Sequence, residues 1–214
     1  MFRERRSYRI LHRILACEDL MTMPDDAGEL LDFWFGAPGS QERGKSRDVW
    51  FRKDDAFDAS IARRFGALFE RAMRGELAAW GAAPQSLLAF IVLIDQFGRN
   101  MFRGTARSFA GDALALAAAK SLVARGWDAQ LTALERWFVY LPYEHSEVLA
   151  DQDLCLDLMQ ALAVDPALAE LPVWAEKHRA IIIRFGRFPH RNAILGREST
   201  AEEVEFLQQP GSSF

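Results

Sequence analysis

The sequence has few cysteines and no long hydrophobic run, and each shortage excludes a class of protein. Its 214 residues include two cysteines, Cys17 and Cys155, which lie far apart in the chain. Because they form no C-x-x-C pair, we predict neither a disulfide framework nor a zinc knuckle, and we expect a reducing, cytoplasmic environment. No stretch approaches the ~18 consecutive apolar residues of a membrane helix, so we predict no membrane span.

A net positive charge and several catalytic signature motifs are also lacking. The formal net charge is -4, whereas a nucleic-acid-binding protein usually carries a basic excess on one face, so we expect no nucleic-acid partner. The patterns G-x-G-x-x-G, G-x-S-x-G and H-E-x-x-H do not occur. We therefore expect no dinucleotide enzyme and no nucleophile-elbow hydrolase, and we do not expect a P-loop protein either. The sequence identifies no cofactor and no metal-ligand set.

Residues 1–23 differ from the rest of the chain in composition. Five arginines interrupt a short apolar run there: Arg3, Arg5, Arg6, Arg9 and Arg13. A secretory signal needs an unbroken apolar stretch, so we do not predict one. We interpret this segment as an N-terminal extension, either disordered or upstream of a translation start at Met21 or Met23. A basic amphipathic surface helix is the alternative. Residues 24–214 are predicted to form a single all-helical domain.

Apolar residues recur at helical spacing along most of the chain. A helix from Asp54 to about Gly75 carries Phe57, Ile61 and Phe65 on one face, and Pro84 suits the first turn of the next helix. Pro142 is predicted to end a later helix, and Thr200 with Glu203 forms a capping box. Because the helices are joined by short loops, we predict an all-α fold of stacked antiparallel helical hairpins.

Three segments combine charged with aromatic residues: DQFGRNMFRGTARSF from Asp95, YLPYEHSEVLADQD from Tyr140, and HRAIIIRFGRFPHRNAILGR from His178. The first and third are rich in arginine, whereas the middle one has four carboxylates and no basic residue other than His145. An unpaired buried charge costs several kcal/mol, so segments of opposite charge on packed helices should meet. We expect them to enclose a polar pocket.

These segments resemble a known family, the bacterial proteins grouped as domain of unknown function family 924. The resemblance rests on LIDQFGRNMFRGTARSF, on YLPYEHSE followed by Gln152, and on RFGRFPHRNAILGRESTAEEVEFL, and it covers about residues 28–208. It implies a tetratricopeptide-repeat-like α-α superhelix and supplies no activity. The family usually has proline where this chain has Gly98, which predicts a looser turn between Gln96 and Arg99.

The first segment has two interpretations. Asp95 and Arg99 are spaced i,i+4, which on a continuing helix makes an ordinary ion pair. Alternatively, Arg99, Asn100 and Arg103 lie beyond a buried helix and form a fork for a carboxylate or phosphate, for which arginine is better suited than lysine.

The second and third segments supply candidates for proton transfer. Glu144 and Glu147 either cap a helix predicted to start after Pro142 or act as acids and bases. His178 lies on an apolar stripe, as a core histidine would. His145 and His190 are placed at helix termini among charges, and we prefer His190 as the catalytic base.

The leading hypothesis is a pocket that binds a small anionic ligand and acts on it by acid/base chemistry, although whether the chain is an enzyme stays open. The candidate catalytic residues are His190, Glu144 and Glu147. The candidate ligand-binding residues are Asp95, Arg99, Asn100, Arg103, His145, Gln152, His178, Arg184, Arg187 and Asn192. One alternative is a helical scaffold that binds a peptide or protein. The other is a metalloenzyme in which carboxylates join His178 or His190.

Overall fold

The computed structural model describes residues 23–213, which form helices and no strand. The helices are α1 Asp25–Phe35, α2 Asp55–Met73, α3, α4 Asp112–Ala124, α5 Ala133–Glu144, α6 Leu149–Leu162, α7 Leu171–Phe185 and α8 Ala201–Leu207. Helix α3 is continuous through Pro84–Ile91, the π-helix Val92–Phe97 and Gly98–Met101. The all-α prediction is confirmed. The interpretation of the N-terminal extension lies almost entirely outside the described residues.

Helix α3 is the central helix of the fold. Its apolar residues from Leu87 to Ile94 are buried except for Phe90, which is partly buried, because α1, α2, α4 and α5 all pack against it. Aromatic rings fill the space between α1, α5 and the turn at Trp50. The ring of Trp50 meets that of Phe138 edge to face at a centroid distance of 4.7 Å. Such a pair adds about 1 kcal/mol to the free energy of apolar burial.

Consecutive helices pack against each other in the second half of the chain. The most extensive contacts join α6 to α7 and α5 to α6. This agrees with the prediction that short loops connect neighbouring helices. The tetratricopeptide-repeat-like superhelix stays a prediction.

Several helix ends match their sequence signals. Pro84 occupies the first turn of α3, and the Thr200–Glu203 capping box opens α8. The side chain of Asp54 caps α2 through the N–H groups of Ala56 and Phe57. One prediction is wrong: α5 does not end at Pro142 but continues to Glu144. Proline inside a helix costs about 3 kcal/mol, and the buried packing of the whole segment Phe138–Glu144 offsets that cost.

The same correction changes the position of the acidic residues. Glu144 and His145 lie at the C-terminal end of α5, and Glu147 lies in the turn before α6, so none of them starts a helix. The apolar stripe on which we predicted His178 does not include Trp174, one turn earlier on α7, which is 47% exposed. The expected loose turn at Gly98 is also absent from the described chain, since Gly98 has helical dihedral angles of -56° and -45°.

Gly111 allows α4 to start directly against the π-helix. A Cβ atom at Gly111 would lie 2.4 Å from Ile94 Cγ2 and 3.2 Å from the Ile94 carbonyl oxygen. Only glycine fits this close approach without displacing α3 or α4. The contact places Asp112, the first residue of α4, beside Asp95 and Arg99.

Candidate functional site

Four consecutive residues at the end of α5, Glu144 to Glu147, direct their side chains to four different parts of the fold. Their partners are His178 on α7, Asp95 on α3, Asp151 on α6 and Arg197 beyond α7, at 2.8, 2.8, 2.8 and 2.7 Å, respectively. Because each contact crosses to another element, this segment joins the three charged segments of the sequence.

Asp95 and His145 form a carboxylate–imidazole pair. Asp95 is 1% exposed, and its Oδ1 lies 2.8 Å from His145 Nδ1 and 2.9 Å from Arg99 Nη1. Its Oδ2 accepts a hydrogen bond from Gln96. Burial alone would raise the pKa of Asp95, but the charge of Arg99 and the contacts with His145 and Gln96 hold it well below its ordinary value.

The ionised Asp95 fixes the tautomer of His145. A carboxylate only accepts hydrogen bonds, so we assign the ring proton of His145 to Nδ1 and the lone pair to Nε2. Burial, and then the charge of Arg99, lower the pKa of His145 below its ordinary value, so the ring is neutral at pH 7. The side chain is 17% exposed.

Asp112 bridges two arginines beside this pair. Arg99 Nη1 donates to Asp112 Oδ1 at 2.9 Å, and Arg191 Nη1 donates to Oδ2 at 3.1 Å. Arg191 also donates to the backbone oxygen of His145, and its guanidinium contacts the ring faces of Phe109 and Phe188. Burial lowers the pKa of Arg191 to about 10, which leaves it charged at neutral pH.

A cleft of about 370 Å³ opens next to these groups. Its lining has a smaller polar side and a larger apolar side. The polar side consists of Asp112, His145, Ser146, Glu147 and Arg191, and the apolar side of Ala106, Phe109, Ala110, Ala113, Leu116, Pro142 and Leu195. Among the predicted site residues, the cleft is therefore lined by His145 and Glu147, with Asp95 and Arg99 directly behind them.

Gln152 holds the end of α5 rather than lining the cleft. It is fully buried, and its Nε2 donates to the backbone oxygens of Tyr143, Glu144 and Ser146 at 3.3, 2.6 and 2.7 Å. These carbonyls would otherwise lack partners at the helix terminus. The amide thus fixes the backbone from which His145 projects.

Glu147 links the turn between α5 and α6 to the segment after α7 through hydrogen bonds. Its carboxylate receives two hydrogen bonds from Arg197, at 2.7 and 2.9 Å, and one from the Phe188 N–H at 2.8 Å. Burial opposes a lowered pKa, but the bonds from Arg197 and Phe188 lower the pKa of Glu147 below its ordinary value. Asn192 and Arg187 extend this network, since both side chains donate to Glu203.

The remaining predicted residues lie away from the cleft lining. Asn100 and Arg103 both donate to Asp58 on α2, and Arg184 pairs with Glu202 on α8. Glu144 and His178 contact each other in the core between α5 and α7. Burial lowers the pKa of His190 to about 4. Within residues 23–213, no group of three or more His, Cys, Asp or Glu side chains is arranged to hold a metal ion.

Asp112 and Arg191 were missed by the sequence predictions. Asp112 has the appearance of an ordinary acidic residue in the first turn of a helix, and Arg191 is one of many arginines in its segment. The pairing that unites them spans 79 positions in the chain, so no local spacing indicates it.

Residues 39–46 match the phosphate-loop pattern G-x-x-x-x-G-K-S, although we expected no P-loop protein. A P-loop connects a β-strand to the helix whose N-terminus holds the phosphate. Here the exposed segment follows α1 and leads into one 3₁₀ turn, Asp48–Trp50, and the described chain has no strand. The match therefore lacks the surroundings of a phosphate site.

Fold and site together define an all-α protein with a buried ionic network in the wall of one cleft. In the described part of the chain, no helix is long and apolar enough to cross a membrane. The chain belongs to the family described as bacterial protein of unknown function (DUF924), whose model matches residues 30–211. The family prediction is thus confirmed.

A solved structure is similar to this chain. It is the protein of unknown function ATU0120 from Agrobacterium tumefaciens, with 43% sequence identity and a TM-score of 0.74. The alignment covers 85% of this chain and 96% of that one. The comparison with curated proteins gives no match.

Proposed function

We propose that the chain binds a small molecule in the cleft and that His145 acts on it as a general base. The observation that carries the proposal is the 2.8 Å contact between Asp95 and His145 Nδ1, with the His145 ring in the cleft wall. An imidazole oriented by a buried carboxylate is an effective proton acceptor near neutral pH.

The proton transfer follows from the assigned tautomer. The lone pair on His145 Nε2 takes a proton from the ligand, or from a water molecule beside it, and the ring becomes an imidazolium. Asp95 remains ionised and stabilises that charge, while Arg99 keeps Asp95 in place. The ligand or water is left as an anion, beside the charged guanidinium of Arg191.

His145 fits this role better than the other candidates for proton transfer. All the oxygens of Glu147 already accept hydrogen bonds from Arg197 and Phe188. Glu144 contacts His178 and does not line the cleft, and His190 is not among the lining residues either. The reducing cytoplasm remains our proposed location, in keeping with Cys155, which is a buried free thiol.

A two-stage experiment tests the proposal. A thermal-shift screen of small fragments is run on the wild-type protein and on two variants. Ala113→Phe fills the cleft, and Ala117→Phe is a matched change on the same helix outside the lining. Hits are then incubated in D2O and followed by NMR for deuterium exchange or hydrolysis. We expect Ala113→Phe to lose the hits and His145→Gln to retain binding but lose at least 100-fold in rate. The proposal is contradicted if hits bind Ala113→Phe as they bind the wild-type protein, or if His145→Gln converts them at the wild-type rate.

A further inference from the structure

The carboxylate oxygens on the polar side of the cleft already accept hydrogen bonds. Both oxygens of Asp112 are bound by arginines, and both oxygens of Glu147 are bound by Arg197. Behind them, both oxygens of Asp95 are also engaged. A ligand group that needed to donate several hydrogen bonds would therefore find few partners here.

Hydrogen-bond donors, in contrast, are in surplus. Arg191 is 7% exposed and lines the cleft, and its Nε, which is buried, has no acceptor among the described residues. Behind it, Arg99 Nη2 is buried and likewise lacks an acceptor in the described chain. A buried donor without an acceptor is destabilising, so these groups favour an added acceptor.

The start of α4 adds donors to the same wall. Gly111 is the N-cap residue, and within residues 23–213 no side chain caps this 13-residue helix. Ala110, Asp112 and Ala113, which surround the first turn, all line the cleft. The uncapped N–H groups and the helix dipole attract an anion, and the charge of Arg191 lies next to them. Asp112 is paired with Arg99 and Arg191, which weakens its repulsion of an anion.

The opposite side of the cleft selects for an apolar body. Three alanines leave room there, and Leu116, Pro142 and Leu195 supply the apolar contact. Leu195 is 38% exposed. A cleft of this volume suits a small ligand. A ligand with a single negative charge at one end and hydrocarbon at the other matches the polar and apolar sides of the lining.

We propose that the ligand is a small monocarboxylic acid with an apolar body, whose carboxylate binds at Arg191 and the start of α4. Its hydrocarbon lies against Leu116, Pro142 and Leu195, and the atoms next to the carboxylate face the wall that contains His145. The inference rests on the proposed use of this cleft as the ligand site, and it names the class of ligand.

Isothermal titration calorimetry with a series of straight-chain acids tests this assignment. Butyrate, hexanoate and octanoate are titrated into the wild-type protein, with octanamide as the uncharged counterpart of octanoate. We expect affinity to rise by about fourfold per methylene until the cleft is filled. Octanamide should bind at least tenfold more weakly than octanoate, because it has no charge for Arg191 and the helix terminus. Equal affinity for the two would overturn the assignment of the carboxylate.

Two variants locate the binding. Ala113 and Ala117 are exposed alanines on α4, and only Ala113 lines the cleft. Ala113→Phe should abolish octanoate binding, and Ala117→Phe should leave it unchanged. Unaltered binding to Ala113→Phe would place the acid elsewhere and refute the inference. If no acid binds while other fragments bind and are lost in Ala113→Phe, the ligand class is wrong and the proposed function stands.

Discussion

Burial determines the charge of the histidines near the cleft. Burial lowers the pKa of His190 to about 4, and burial together with Arg99 lowers that of His145. In the unfolded chain both rings return to a pKa near 6.5. Folding therefore requires both rings to be neutral, and protons bind more tightly to the unfolded state.

This difference predicts a loss of stability in mild acid. Because the folded pKa is below the unfolded one, the stability is complete above about pH 6.5 and falls as the pH decreases toward 4. The free energy of unfolding by urea should be lower at pH 5 than at pH 7.5 in the wild-type protein. In His190→Gln this decrease should be smaller by about 2 kcal/mol. Lowered carboxylate pKa values, such as that of Glu147, reduce stability mainly below about pH 4.5, outside the comparison of pH 7.5 with pH 5. Identical decreases in both proteins would show that His190 is not held neutral.

At the residue scale, the sequence indicated partners that are close in the chain and missed those that are distant. The i,i+4 spacing predicted the ion pair of Asp95 with Arg99, which is present at 2.9 Å. The partner of His145 lies 50 positions away, and the packing of α3 against α5 alone brings it near. Our preference for His190 relied on its predicted place at a helix terminus among charges, and its loss of solvent on folding has no sequence signal.

The end of α5 depends on an amide from the next helix. Gln152 supplies N–H donors to three carbonyls at that terminus, and local spacing gives no hint of this arrangement. Pro142 was an equally misleading signal, because burial of the surrounding segment outweighs the hydrogen bond that proline cannot make.

Replacement of the amide by a carboxylate tests the importance of this cap. In Gln152→Glu, an ionised side chain places a negative charge against three carbonyl oxygens. A protonated side chain has one hydrogen-bond donor where the amide had two. We expect a decrease of about 3 kcal/mol in the free energy of unfolding by urea. The matched change Gln160→Glu, at an exposed position on the same helix, should cost less than about 0.5 kcal/mol. Equal effects of the two changes would indicate that the cap contributes little.

Helix positions were largely predictable, whereas the π-helix was not. Apolar periodicity and end signals such as Pro84 and the Thr200–Glu203 box located most helices. The segment Val92–Phe97 is apolar apart from Asp95 and Gln96, so its pattern contains no period that distinguishes π from α geometry.

In the whole molecule, the segment after α7 is held mainly by polar contacts. The large apolar core includes residues from α1 to α7, while Ile181, Ile182 and Phe188 form a separate small cluster with Phe185 and Phe206. Few buried apolar contacts imply easier local opening. The network from Glu147 to Arg197 then determines how often this segment opens.

Hydrogen exchange followed by mass spectrometry tests this distribution of stability. In Glu147→Gln, the amides of residues 187–203 should exchange about tenfold faster, because the paired contact with Arg197 is lost. Amides of α3 should be unaffected. Glu202→Gln breaks an exposed pair with Arg184 and should change exchange by less than about threefold. A uniform increase across both regions would instead mean that the chain opens as one unit.

At this scale, composition and periodicity predicted the all-α class, and the sequence motifs predicted the family. The meeting of the charged segments was anticipated from the cost of unpaired buried charge. The specific pairs were not anticipated. The carboxylates of Asp58, Asp112, Glu202 and Glu203 neutralise Arg103, Arg99, Arg184 and Arg187, respectively, which we had assigned to an anion. Such choices depend on which helices are neighbours in space.

The π-helix has a further consequence for how this chain tolerates changes in length. A π-turn contains one residue more than an α-turn, so removal of one residue from Val92–Phe97 would restore a regular α-helix. Five residues of the π-turn span about the same rotation as four of an α-turn, so side chains outside Val92–Phe97 would keep their directions and those inside it would shift. Asp95 lies inside this segment, and its contacts with His145 and Arg99 depend on its position there. The number of residues in α3 is therefore as essential to the site as their identity, and loops such as residues 36–47 are better places for insertions and deletions.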